Sequence, residues 1–349
     1  MTGERFVGFK LYNKAKEKIA AFKGGRQLAQ KGLLLFAALM FWIGVPAERA
    51  WAYQESQDVA EADEHYGDLE GSISRHRMIL HTGERQRIRI HDAAGEVNWS
   101  SSDPSVAEYT DGMVLGNKTG RTVIIAEDAN QSYECEVLVK ASDIIGHMGY
   151  SQAYPENSME AFSAAADEGD WGIECDLRRT NGELWCAHDG DQVGTEESCR
   201  FSDYLDICLE YECIAVLDIK VGSDVMELVD EAMQMIDDRD MRDVVIWQCD
   251  DVDTLRYIRR HFESARLWIL VMDDRHYERA IETCEEVLYE GVNLSMRMFS
   301  VSACEELTSI ETDCVDARHM KVCVHTINTE ETRQELRDLG VMYLMSDAL

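Results

Sequence analysis

From residue 143 onward, short apolar runs alternate with longer stretches whose apolar positions recur every three or four residues. The runs lie near 143–147, 172–177, 213–219, 243–248, 266–271, 291–295, 320–326 and 341–346. Gly172–Leu177 is short and apolar at alternate positions, which suits a strand. Ser158–Gly169, Asp224–Asp237 and Asp251–Phe262 have helical spacing. Eight such strand–helix units in about 200 residues predict an α/β fold of the TIM (β/α)8 barrel type. Glu183–His188 is then an extra arm beside the second strand.

Residues 71–141 follow a different rhythm. Alternation in Arg87-Ile88-Arg89-Ile90, the β-branched run Val123-Ile124-Ile125, and Gly and Asp-Gly turns predict an N-terminal all-β antiparallel sandwich. Residues 53–70 hold seven acids and no Lys or Arg, the composition of a solvated acidic linker.

Residues 1–52 read as a basic leader plus a signal or anchor segment. Leu33–Val45 is thirteen apolar or small residues following Lys31, short for a membrane span and suited to a signal segment. Ala50-Trp51-Ala52 offers a small-x-small cleavage site, whereas the long preceding basic region suits an uncleaved anchor. Either reading puts residues 53–349 at the extracellular face of the membrane or secretes them, with the basic end inside. A buried helix of a cytosolic protein is the remaining alternative.

Charge sharpens this division. Residues 1–31 carry eight Lys or Arg against two Glu, a net of +6, so the rest of a chain of net −33 carries −39. An acidic body of this size argues against nucleic-acid binding by bulk electrostatics. The eleven cysteines include no CxxC, so zinc-type spacing is absent, and their scatter through predicted strands and helices reads as free thiols.

The candidate chemistry lies in 145–190. Glu174 and Asp176, spaced i,i+2 on a predicted strand, share a face and can aim at one point, as a divalent cation requires. Pairing with Arg178 or Arg179 is the alternative. Oxygen ligands favour calcium or magnesium. His147 and His188 follow apolar runs at strand ends, where α/β folds place their chemistry.

The order His147-Met148-Gly149, Pro155-Glu156-Asn157-Ser158, Glu174-Cys175-Asp176 with Thr180, then His188-Asp189 resembles the glycerophosphodiester phosphodiesterase family. Asp218-Ile219-Lys220, His325-Thr326-Ile327-Asn328 and Ser346-Asp347 extend the resemblance over about 143–349. It implies metal-dependent hydrolysis of a small-molecule glycerophosphodiester to an alcohol and glycerol phosphate, a route in which the substrate's glycerol hydroxyl can attack phosphorus. His147 and His188 would be the acid–base pair, and Glu174, Asp176 and Asp218 the ligands of a divalent cation, calcium or magnesium. Lys220, Asn157, Arg178 and His325 would contact substrate.

Three positions depart from the pattern. Met148 replaces an Arg that contacts phosphate, Asp218 replaces Glu, and His325 replaces Trp. Arg178, predicted on the metal face, can stand in for the missing guanidinium. These departures keep two alternatives open: a related barrel cleaving another phosphodiester headgroup, or an inactive surface module. Val97–Ala107, with Trp99 and Asp103-Pro104, Gly112-Met113-Val114 and Gly120–Ile124 resemble the bacterial group 2 immunoglobulin-like domain. That implies a rigid spacer, or a module contacting the cell wall.

Overall fold

The computed structural model describes residues 72–312, 314 and 317–348. The leader and acidic linker expected at 1–52 and 53–70 lie outside them. Among the described residues no helix is long and apolar enough to cross a membrane.

The N-terminal part contains nine strands: β1 (Ser72–Ile73), β2 (Arg77–His81), β3 (Arg85–Arg87), β4 (Ile90–His91), β5 (Asn98–Ser101), β6 (Ala107–Thr110), β7 (Met113–Gly116), β8 (Gly120–Glu127) and β9 (Ser132–Lys140). One sheet has the order β2-β9-β8-β5 and a second the order β3-β7-β6; β1 pairs with β4. Met78, Leu80, Val114, Ile124, Cys135, Val137 and Val139 from both sheets share one apolar core. Burial alternates along β8 and β9, as expected where one sheet face meets the core and the other does not. The antiparallel expectation is corrected at one edge. There β2 pairs in parallel with β9, Arg77 opposite Glu136 through His81 opposite Lys140. Strands so far apart in sequence have no tight turn to force them antiparallel.

The barrel starts at β10 (Ile144–Gly146), followed by α1 (Met159–Asp167), β11 (Gly172–Thr180), β12 (Glu183–Cys186), β13 (Cys199–Arg200), α2 (Phe201–Glu210), β14 (Ile214–Ile219) and α3 (Val225–Asp237). It continues with β15 (Val245–Cys249), α4 (Val252–His261), β16 (Arg266–Val271), α5 (Asp274–Val287), β17 (Gly291–Ser295), α6 (Val301–Ser309), β18 (Lys321–His325), α7 (Glu330–Asp338) and β19 (Tyr343–Ser346). All eight predicted strands are present, and the parallel sheet closes because β10 pairs with both β11 and β19. The Glu183–Cys186 arm lies antiparallel to β11, Leu177 opposite Cys186, and is extended by β13. All eleven cysteines are free thiols, ten of them buried.

The β module is no detached spacer. The two-residue period of β2 sends Met78 and Leu80 into its own core and Ile79 into the barrel's. The Trp171 indole donates to the Ile79 carbonyl at 3.1 Å. Arg75 reaches Asp243 at 3.0 Å and the Ser264 carbonyl at 2.7 Å. Deeper still, Glu84 is fully buried, accepting from Lys321 at 3.0 Å and from the Tyr343 hydroxyl at 2.6 Å. Lys321 also holds Glu290 at 2.9 Å, and Arg266 grips Glu290 with two bonds of 2.8 Å. Arg266, Lys321 and Tyr343 each begin a barrel strand, so the seam covers the barrel's N-terminal end and leaves the C-terminal end open.

Candidate active site

The predicted site residues converge on the C-terminal end. β11 carries Glu174 and Asp176 on one inward face, and parallel pairing sets Asp218 of β14 directly opposite Asp176. Oxygen atoms of Glu174, Asp176 and Asp218 lie within 4.8 Å of one another, in a geometry that could hold a metal ion. All three side chains are buried. Burial, then the charge of Asp176, pushes the Glu174 carboxyl up to about 8; burial also raises Asp218. Buried acids pushed upward in this way gain from a nearby positive charge.

One positive charge is already present. Lys220 places its ammonium 2.7 Å from Asp176 Oδ1 and 2.7 Å from Asp218 Oδ2, and the two carboxylates raise its pKa against the desolvation that opposes them. The resemblance implied a phosphate contact for Lys220, and here its partners are the carboxylates. Three carboxylates converging on one point form a set of oxygen ligands that fits a hard divalent cation.

Each acid is also aimed by a neighbour. Asn157 donates from Nδ2 to Asp176 Oδ2 at 2.8 Å and accepts from the Asp176 N–H at 3.0 Å. It does so from the turn before α1, where Ser158 caps the helix by accepting from Ala161 N. The Met148 N–H donates to Glu174 Oε2 at 2.8 Å. Met148 itself is left-handed, with φ 53°. Next to it, Gly149 has φ 73°, and a Cβ there would lie 2.4 Å from the Ala161 carbonyl carbon. The position that lost the resemblance's Arg still serves the site through its backbone.

His147 follows β10 and is held by Asp347, Nδ1 to Oδ1 2.7 Å. Asp347 is itself held by Asn328 at 2.9 Å and Ser151 at 3.2 Å. Burial opposes charge on the imidazole, but the Asp347 bond and the Glu174 charge outweigh it and raise His147 to about 9. His188 sits at the rim. The Ala187 N–H donates to the Asp176 carbonyl at 2.8 Å, fixing the backbone one residue earlier. The His188 ring is half-exposed, 3.4 Å from Asp189, and hydrogen-bonded neither to His147 nor to the acids. Arg178 donates to the His188 carbonyl at 2.5 Å, so its guanidinium anchors this segment.

His325 ends β18 with its ring centroid 6.4 Å from that of His147. Its Nδ1 lies 2.8 Å from Asn293 Oδ1, and Asn293 Nδ2 donates to Gln248 Oε1 at 2.7 Å. Burial, with the charges of His147 and Lys220, lowers His325 to about 4. Sequence reasoning assigned no role to Asp347, Asn293 or Gln248. The available signal was one amide inside each otherwise apolar run, Val245–Cys249 and Gly291–Ser295, since a buried amide must find partners.

Residues 147–207 match the model of the Glycerophosphoryl diester phosphodiesterase family. A 55-residue stretch is 44% identical to "Probable glycerophosphodiester phosphodiesterase 1" of Mycobacterium tuberculosis, covering 16% of this chain and 20% of that protein's length. Among solved structures, the barrel resembles a phosphodiesterase of Oleispira antarctica in complex with the product sn-glycerol-3-phosphate. The TM-score is 0.50 at 15% identity, over 60% of this chain and 93% of the other. A provisionally named glycerophosphoryl diester phosphodiesterase of Agrobacterium tumefaciens gives 0.51 at 13% identity, over 59% and 94%. Glu174, Asp176, Asp218 and His147 thus lie at the mouth of a closed eight-stranded barrel whose residues 147–207 match the Glycerophosphoryl diester phosphodiesterase family.

Proposed function

We propose that the barrel is a metal-dependent phosphodiesterase that hydrolyses glycerophosphodiesters to an alcohol and glycerol phosphate. The observation that carries this reading is the cluster of Glu174, Asp176 and Asp218 beside the His147–Asp347 pair, with His147, Glu174 and Asp176 inside the segment that matches the family. Glu174, Asp176 and Asp218 would hold calcium or magnesium, which when bound supplies positive charge against the phosphodiester anion. Asn157 and the Met148 N–H orient two of those carboxylates. Lys220 neutralises the inner acids and stands within reach of a phosphate oxygen. Arg178 holds the His188 segment and carries a second cation on the metal face. His147, protonated near neutral pH, is placed to give a proton to the leaving alkoxide, and His188 at the rim to take one from the attacking hydroxyl.

The leader supports export, with the barrel at the extracellular face or secreted. The two-sheet module at 72–140 supports the immunoglobulin-like resemblance and leaves its outer surface available for wall contact.

The test is release of glycerol phosphate from a panel of glycerophosphodiesters, after chelation and with calcium or magnesium restored. Turnover that returns with metal and is lost in His188→Ala and Asp218→Asn supports the reading. Metal binding with no turnover on any member moves the substrate to another phosphodiester, and loss of both favours an inactive surface module.

A further inference from the structure

Gln248, Asn293 and His325 form a polar line across three barrel strands directly beneath the open mouth. Gln248 and Asn293 are buried, so their amides are committed to each other and to the imidazole. The direction of the line is set at its middle. Asn293 Nδ2 faces Gln248 Oε1 at 2.7 Å and the Met345 sulfur at 3.7 Å, both acceptors. Asn293 therefore presents Oδ1 to His325, and an acceptor at 2.8 Å requires the proton on Nδ1. A neutral imidazole protonated at Nδ1 has a bare lone pair on Nε2. That nitrogen has no hydrogen-bond partner among the described residues and is not sealed from solvent. The ring centroid lies 6.4 Å from that of His147, so a substrate group bonded to His147 has His325 as its neighbour.

We propose that His325 selects the substrate's alcohol portion, its Nε2 acting as a fixed acceptor that favours phosphodiesters whose headgroup carries an N–H or O–H donor over fully methylated headgroups. This rests on the phosphodiesterase reading above. An apolar ring at this position would make no such distinction, because it has no acceptor to leave unpaired. Asn293 acts through His325 as a positioning residue that fixes the tautomer.

The test pair is glycerophosphoethanolamine and glycerophosphocholine, which carry the same charge and differ in N–H donors. The protein should prefer ethanolamine about tenfold in kcat/KM, the discrimination of one hydrogen bond. His325→Phe should bring the ratio close to one. His325→Gln should restore part of it, since its amide can donate to Asn293 and still present an oxygen. Long-range nitrogen–proton NMR of the intact protein should show the His325 proton on Nδ1, and Asn293→Leu should lose that signature together with the preference. Equal turnover of the two substrates by the unaltered protein, a ratio unchanged in His325→Phe, or a proton on Nε2 would each overturn the proposal while leaving the phosphodiesterase reading standing. Absence of turnover on every glycerophosphodiester would overturn both.

Discussion

Glu84→Gln changes one atom in the seam between the β module and the barrel, and its cost can be worked from the contacts. The amide oxygen still accepts from Lys321 and Tyr343, at the positions now 3.0 and 2.6 Å away. The amide nitrogen replaces Oε2, which accepts from the His81 N–H at 3.1 Å, so two donors face each other. A buried donor left without its acceptor costs about 1–3 kcal/mol. Lys321 also loses one of its two carboxylate neighbours and keeps Glu290 at 2.9 Å. Together these put the loss in the range of about 3–5 kcal/mol for breaking a buried ion pair. Denaturant unfolding followed by tryptophan fluorescence and by far-ultraviolet circular dichroism should show that loss as one transition, because Trp171 and Glu84 tie the two parts together. The double variant Glu84→Leu, Lys321→Met should not recover it, since the His81 N–H and the Tyr343 hydroxyl both lose Glu84 as their acceptor. A loss below about 1 kcal/mol in Glu84→Gln would refute the argument from contacts. So would separate transitions for residues 72–140 and the barrel.

Further outcomes follow from two titrating groups. Asp347→Asn should lower the His147 titration from about 9 toward the ordinary imidazole value, as read by NMR. In the unaltered protein, stability from the raised His147 is fully present below pH about 6.5 and is lost as pH rises through 9. Asp170 is raised by burial to about 7, so the folded state holds a proton that the unfolded state has released, and stability falls between pH about 4 and 7. Asp170→Asn should therefore flatten the stability–pH curve over that interval in denaturant titrations, and an unchanged slope would rule this out.

The barrel was legible because short apolar runs alternate with helical spacing and its acids follow a fixed order. The predicted strand at 266–271 is β16 as found, and Asp224–Asp237 overlaps α3 except at its cap. The seam was not legible. Glu84, Arg266, Glu290 and Lys321 are scattered charges, and an isolated charge in sequence normally marks a solvated face. Only tertiary contact reveals that they bury one another. Nor could sequence show that β2 would pair with β9, because no local turn sets that register. At the site, the side chains with chemistry were visible one by one. Asp347 appeared only as part of a terminal motif, since its bond to His147 spans 200 positions.

The closure of the barrel also sets the order in which the chain can fold. β10 needs β19 as its neighbour, and Glu84 waits for the Tyr343 hydroxyl 259 positions later. During synthesis the β module can acquire its own core early, yet its buried acid lacks its ion-pair partner until Lys321 emerges. Contacts of such sequence separation slow folding and lengthen the exposure of unfinished strand edges. The last strand is thus the latch of the whole described body, and a truncation that removes it would release the N-terminal acid as well as the final wall of the barrel.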